Sequence, residues 1–184
     1  MIKPQVKKLA AAAKKTKKPV KVFETEWFTI DELPDQYKKK PYYRLNCEDS
    51  VAIIALTPDK KMIMIRQFRP VIGSSLIEWP AGGIDKKESP FRAIQRELLE
   101  ETGYKCDSLA HIGSHYVFPS RISSTVHAFL GRGARLVDGK KGEKDIEVIL
   151  LDEKQFEKLI TKTGHLVAAP AIAFYYLAKV KGLL

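Results

Sequence analysis

Cysteine is scarce in this chain of 184 residues: Cys47 and Cys106 are too few and too far apart for a disulfide framework or a CxxC motif. The four histidines are scattered and add no metal-ligand spacing to them, so a zinc site is not expected. Two buried free thiols in a reducing compartment are the expected state. Long apolar runs are also missing. Residues 9–13 are too short and too closely flanked by lysines to be a signal-peptide core. Residues 166–178 are too short to span a bilayer and contain Pro170. A cytoplasmic location without a membrane partner is expected. Acidic residues are absent from the first 21 positions, which hold eight lysines. That segment carries most of the net charge of +10 and leaves the rest nearly neutral. It is expected to be a solvated tail or exposed helix, and nucleic acid is not an expected partner.

What is present is ordinary for a soluble domain, 45% hydrophobic and 29% charged. The length suits one well-buried domain with a short appendage, divided as a basic segment 1–21, a small β unit 22–48 and a main domain 49–184. Alternation predicts a strand over 22–30 and its return over 42–45, with a turn region between Pro34 and Pro41. Residues 51–57 and 61–68 form a hairpin-like pair around Pro58, Asp59 and Lys60. A short apolar stretch, 76–79, ends at Pro80 and opens a loop, PAGGID. Further strands are predicted over 109–117, 125–130 and 146–151, with a charged loop over 138–145. Helices are predicted over 153–161 and 169–180.

The best-signalled element is a helix over 90–102. Ser89 is its N-cap, Pro90 its first residue and Gly103 its terminator. At 100° per residue Glu97, Glu100 and Glu101 share one side of it, beside the apolar stripe of Phe91, Ile94 and Leu98. A lone pair of glutamates on a helix is ordinarily a solvated face. Here, however, acids in the last turn oppose the helix dipole and call for positive compensation. Clustered carboxylates without a soft ligand suit a hard cation such as Mg²⁺. Arg96 is placed to orient one of the acids by a bidentate contact.

From Gly82 the sequence reads GGIDKKESPFRAIQRELLEETGY. It resembles the Nudix box, GX5EX7REUXEEXGU, at every position, with Tyr104 a mild departure at the final apolar site. Seven fixed residues at these separations arise by chance in such a chain on the order of once in a million. The resemblance implies an α+β fold, an α/β/α sandwich around a mixed β-sheet with the small β unit appended. It also implies hydrolysis of a pyrophosphate linkage with Mg²⁺, for which Mn²⁺ can substitute. Glu97 and Glu101 correspond to the principal metal ligands and Glu100 to a further one, direct or through water. Gly82 lets the backbone approach the metal.

Flanking residues resemble the ADP-ribose and nucleoside-diphosphate-sugar pyrophosphatase branch. IRQFRP (65–70) precedes the box, EWPAGG (78–83) leads into it, and Pro119 lies sixteen residues after Gly103. In that branch the carbonyl of Ala81 is a metal ligand and Arg69 contacts substrate phosphates. Trp27 falls where relatives stack an aromatic on the base, although an alternating strand would equally bury it. Arg44 and Gly83 are further candidates for substrate contact. The candidate general base is Glu143 in KKGEKDIEV, with Asp145 as the alternative because Lys144 stands where some relatives carry the acid. A homodimer is implied, in which Trp27 or Tyr37 of one copy closes over the nucleotide sugar bound by the other. Two rivals stand beside this reading: a Nudix RNA pyrophosphohydrolase, and a non-catalytic nucleotide-binding module, which ordinarily lacks box glutamates.

Overall fold

Strand β4 (Ser50–Leu56) is apolar from Val51 to Leu56 because it is covered on both faces. The computed structural model describes residues 18–34, 40–162 and 167–184, so the lysine-rich stretch to residue 17 and Tyr37 lie outside the described residues. Two compact units are present. Among the described residues, one comprises those up to Cys47 with Phe118–Ser123, the other those of Glu48–Val117 and Ser124–Leu184.

In the larger unit β4 lies at the centre of a mixed seven-stranded sheet. Its order is β12 (Ile146–Leu151), β5 (Met62–Arg69), β4, β10 (Thr125–Arg132), β9 (Ser108–Tyr116). The β4–β10 pair is parallel, whereas β10–β9, β12–β5 and β4–β5 are antiparallel. Val51, Ile53 and Ala55 face helix α1 (Pro90–Thr102), packing with Ala93, Ile94, Leu98 and Phe129. Ala52, Ile54 and Leu56 face the opposite way, towards α2 (Glu153–Thr161) and α3 (Ala169–Val180), whose Phe156, Phe174 and Tyr175 are buried there. Helices therefore cover both faces of a mixed sheet, and the expected α+β sandwich is present.

The hairpin of β4 and β5 is paired only at Ala55–Ile63 and Leu56–Met62. Below these pairs the strands part, and β6 (Ser74–Glu78) takes β5 while β7 (Ala81–Gly83) takes β4. The PAGG segment, read from sequence as loop, is thus partly strand. Trp79 anchors the crossing, 2% exposed and donating from Nε1 to the Ala171 carbonyl at 2.9 Å. Pro80 accepts from the Ile53 N–H at 3.0 Å.

A two-stranded ribbon, β8 (Tyr104–Lys105) with β11 (Arg135–Leu136), was not visible in the sequence pattern. The thiols also differ from expectation: Cys47 is exposed and Cys106 half-buried. Cys47 follows the last strand residue, Asn46, and Cys106 lies beneath Gly131, where a Cβ would meet its Sγ at 2.4 Å.

In the smaller unit β1 (Val20–Glu24), β2 (Thr29–Pro34) and β3 (Pro41–Asn46) form an antiparallel sheet in that order. The single strand expected over 22–30 is broken at Thr25. The Thr25 N–H donates to the Phe28 carbonyl at 2.9 Å, and Thr25 Oγ1 accepts from the N–H groups of Trp27 and Phe28. This side-chain turn reverses the chain where alternation alone continues it. Phe118–Ser123 belongs to the same unit. Leu45 exchanges backbone hydrogen bonds with Arg121 and Ser123, and the Arg121 guanidinium lies 4.4 Å from the Tyr42 ring centre.

Candidate active site

Helix α1 begins and ends where its capping residues place it. Ser89 Oγ accepts from the Arg92 N–H, Pro90 occupies the first turn, and Gly103 at φ 75° accepts the left-handed C-cap. Those limits set Glu97 and Glu101 against β7, with the more exposed Glu100 beside them at Arg96. Glu101 is 5% exposed and accepts from the Ala81 N–H at 2.9 Å. Burial pushes its carboxyl up to about 8; the negative charges of Glu97 and Glu143 push the same way, while the Ala81 N–H and the charge of Arg69 oppose. Burial also raises Glu97, against the pull of Arg96.

At Gly82 the space a side chain would take is filled by the Glu97 carboxylate. A Cβ there would stand 2.1 Å from both Cδ and Oε1 of Glu97. The glutamate's carboxylate therefore rests directly on the β7 backbone.

Arg96 holds the acids together. Its Nε and Nη2 reach Glu88 at 3.2 and 2.9 Å, Nη1 reaches Glu97 at 2.7 Å and Glu100 at 3.2 Å, and Nη2 donates to the Gly83 carbonyl at 3.0 Å. The bidentate partner expected for this arginine is Glu88, not one of the helix acids. Glu88 is held well below the usual carboxylate range by that contact. Arg96 also answers the dipole problem of the last turn, which contains no basic residue of its own.

Arg69, at the end of β5, is paired with Glu78 at 2.7 Å, and sequence reasoning missed this partner. Glu143 lies on the loop before β12, close enough for its charge to be felt at both Glu97 and Glu101. Arg69, Ala81, Gly83, Arg96, Glu97, Glu100, Glu101 and Glu143 thus belong to one neighbourhood of the larger unit. Trp27 and Arg44 are carried by the smaller unit. Trp27 is 77% exposed at the β1–β2 turn, so it is not core. Arg44 is paired with Asp31 at 2.7 Å, and its Nε is buried without a partner among the described residues.

The donor set is oxygen only: carboxylates of differing burial, beside a backbone that approaches without a Cβ. That chemistry fits a hard divalent cation and not a soft one. Among the described residues no three such side chains already converge as a closed cage, since Arg96 and the Ala81 N–H hold the oxygens. An apolar groove of about 580 Å³ lies elsewhere, between the end of β9 and α3, lined by Tyr116, Phe174 and Leu177 among others. It contains none of these groups. No helix among the described residues is long and apolar enough to cross a membrane.

Comparison with known proteins agrees with this geometry. An ADP-ribose pyrophosphatase of Bacillus subtilis is 34% identical over 131 residues, covering 70% of this chain and 71% of that protein. A GDP-mannose pyrophosphatase of Escherichia coli K12 is 29% identical over 141 residues, covering 71% and 72%. A crystal structure described as an ADP compounds hydrolase superposes with a TM-score of 0.69 at 19% identity, covering 94% of this chain and all of the other, which shows the shared fold. Residues 48–169 match the NUDIX domain model, and with these relatives that match shows that the chain belongs to the Nudix hydrolase family.

Proposed function

We propose that this enzyme hydrolyses the pyrophosphate bond of nucleoside diphosphate sugars, ADP-ribose or a close relative, to a nucleoside monophosphate and a sugar phosphate. The observation that carries the reading is the seating of Glu97 on Gly82 beside buried Glu101, in a chain whose relatives include pyrophosphatases of ADP-ribose and GDP-mannose. Mg²⁺, with Mn²⁺ able to substitute, is the proposed cofactor. Glu97, Glu100, Glu101 and the Ala81 carbonyl would hold it, and when bound it would neutralise phosphoryl charge and acidify water.

The chain's own groups have separable roles. Arg96 orients Glu97 and Glu100 while its Nη2 fixes the Gly83 carbonyl, which keeps the β7 backbone under the helix. Arg69 presents a fixed cation to a substrate phosphate, held at the end of β5 by Glu78. Glu143 is the proposed general base and takes a proton from the attacking water. Trp27 supplies a stacking face for the base, and Arg44 a polar contact beside it.

A homodimer is part of the proposal, with the β1–β3 unit of each copy completing the other's site. The exposure of Val20, Val22, Phe23 and Trp27 on a sheet too small to bury a core supports it. The free thiols are consistent with work in the cytoplasm. A panel of nucleotide sugars incubated with Mg²⁺ tests the substrate class, and sedimentation of the full chain against a chain lacking residues 1–48 tests the dimer. Loss of dimerisation with a sharply raised KM is expected of the deletion; a fully active monomeric full chain contradicts the shared site.

A further inference from the structure

Glycines 142 and 103 face one another across the end of α1. A Cβ on Gly142 would lie 2.3 Å from the Glu101 carbonyl oxygen, 3.0 Å from its carbon and 3.2 Å from Thr102 Cα. A Cβ on Gly103 would in turn meet the Lys140 oxygen at 3.3 Å and the Gly142 nitrogen at 3.5 Å. The loop after β11 is tied down beside this contact. Val137 N–H donates to the Gly103 carbonyl at 2.9 Å, Lys140 N–H to Val137 at 3.0 Å, and Ile146 N–H to Glu143 at 3.2 Å. The β8–β11 ribbon fixes its other end through Tyr104–Leu136 and Lys105–Arg135.

We propose that Gly142 is a positioning residue, a steric latch that docks the loop on the last turn of α1 and thereby sets the placement of Glu143 relative to Glu97 and Glu101. The inference rests on the reading of Glu143 as the working carboxylate. Two facts separate a latch from an ordinary loop glycine. Its backbone has no positive φ, so an alanine is strained only by what it touches. What it touches is helix backbone, which cannot swing aside as a side-chain end can. Restoring an ordinary 3.4 Å contact moves the loop by roughly 1 Å, a displacement that costs on the order of 10²-fold in rate when it falls on a reacting group. The neighbouring Gly139, with nothing within 4 Å of its Cβ position, has no such role.

The test compares Gly142→Ala, Glu143→Gln and the double variant by steady-state kinetics with ADP-ribose and Mg²⁺, and by amide hydrogen exchange without metal. Gly142→Ala is expected to lower kcat about 10- to 10²-fold with KM and the Mg²⁺ activation midpoint unchanged. The double variant is expected to be no slower than Glu143→Gln, because the latch acts only through that carboxylate. Exchange is expected to accelerate over residues 137–145 while α1 keeps its protection. Multiplying losses in the double variant, a shifted Mg²⁺ midpoint, or fraying of α1 with an unchanged loop would each overturn the proposal. Full turnover by Glu143→Gln overturns the general-base assignment instead, and the exchange result then still decides whether Gly142 docks the loop. Should Gly142→Ala not fold, Leu136→Ala, which removes the Cδ1 lying 3.1 Å from the Cβ position of Gly103, loosens the same dock from its other side and must show the same loop-confined exchange.

Discussion

Glu97 rests its carboxylate on Gly82, with its Cδ and Oε1 each 2.1 Å from where a β-carbon would be. The obstructed atoms are the far end of a flexible side chain, so a methyl group at position 82 displaces the carboxylate and leaves the fold. Gly82→Ala is therefore expected to melt near the parent temperature while losing about 10²-fold in kcat, as a misplacement of roughly 1 Å does. Thermal melting and steady-state rates on the same preparation check it.

Removing a carboxylate charge tests the ligand roles more directly. Glu97→Gln and Glu101→Gln are each expected to lose most turnover with the fold intact, and chelation by EDTA to abolish parent activity until Mg²⁺ or Mn²⁺ is restored. Near-normal kcat in both variants, or activity after thorough chelation, counts against a metal held by these side chains.

Arg96 contacts Glu88, Glu97 and Glu100 at once, and a lysine cannot reproduce that fork. Arg96→Lys keeps the charge, so a loss of about 10- to 100-fold in activity or metal affinity assigns the effect to orientation. Titrating Mg²⁺ against rate in the variant separates the two.

Away from the site, Lys179 lies 2.9 and 2.6 Å from Glu153 and Glu157, and the Tyr175 hydroxyl, with one proton to donate, lies 2.9 and 2.7 Å from the same two carboxylates. Lys179 first, then Tyr175, hold both carboxyls below their usual range. Lowered acids stabilise the fold above their unfolded pKa of about 4.3 and lose that contribution as pH falls through the folded value. The melting temperature is expected to fall on acidification below that point, less steeply in Lys179→Met. The pairs are partly exposed, so the difference is small.

The sequence made α1 legible to the residue because Ser89, Pro90 and Gly103 announce both ends and no tertiary contact is needed to read them. The approximate ranges read for α2 and α3 from apolar periodicity coincide with the observed ones, although no side-chain cap marks the start of α3. The break at Thr25 was not, since a turn closed by a threonine hydroxyl leaves the alternation of 22–30 intact. Nor was β7, whose three small residues have no strand preference and pair only because β4 and β5 part. In the site, i, i+3 and i+4 spacing placed the glutamates on one side of the helix. The seats of Gly82 and Gly142 depend on partners 15 and 41 positions away, which no local pattern encodes.

The central claim is tested most directly by incubating the protein with ADP-ribose and Mg²⁺ in ¹⁸O-labelled water and following the products by ³¹P NMR. The account predicts a nucleoside monophosphate and a sugar phosphate in equal amounts, with label in one of them. Orthophosphate as the primary product, or no turnover of any nucleotide sugar in the presence of Mg²⁺, would contradict it.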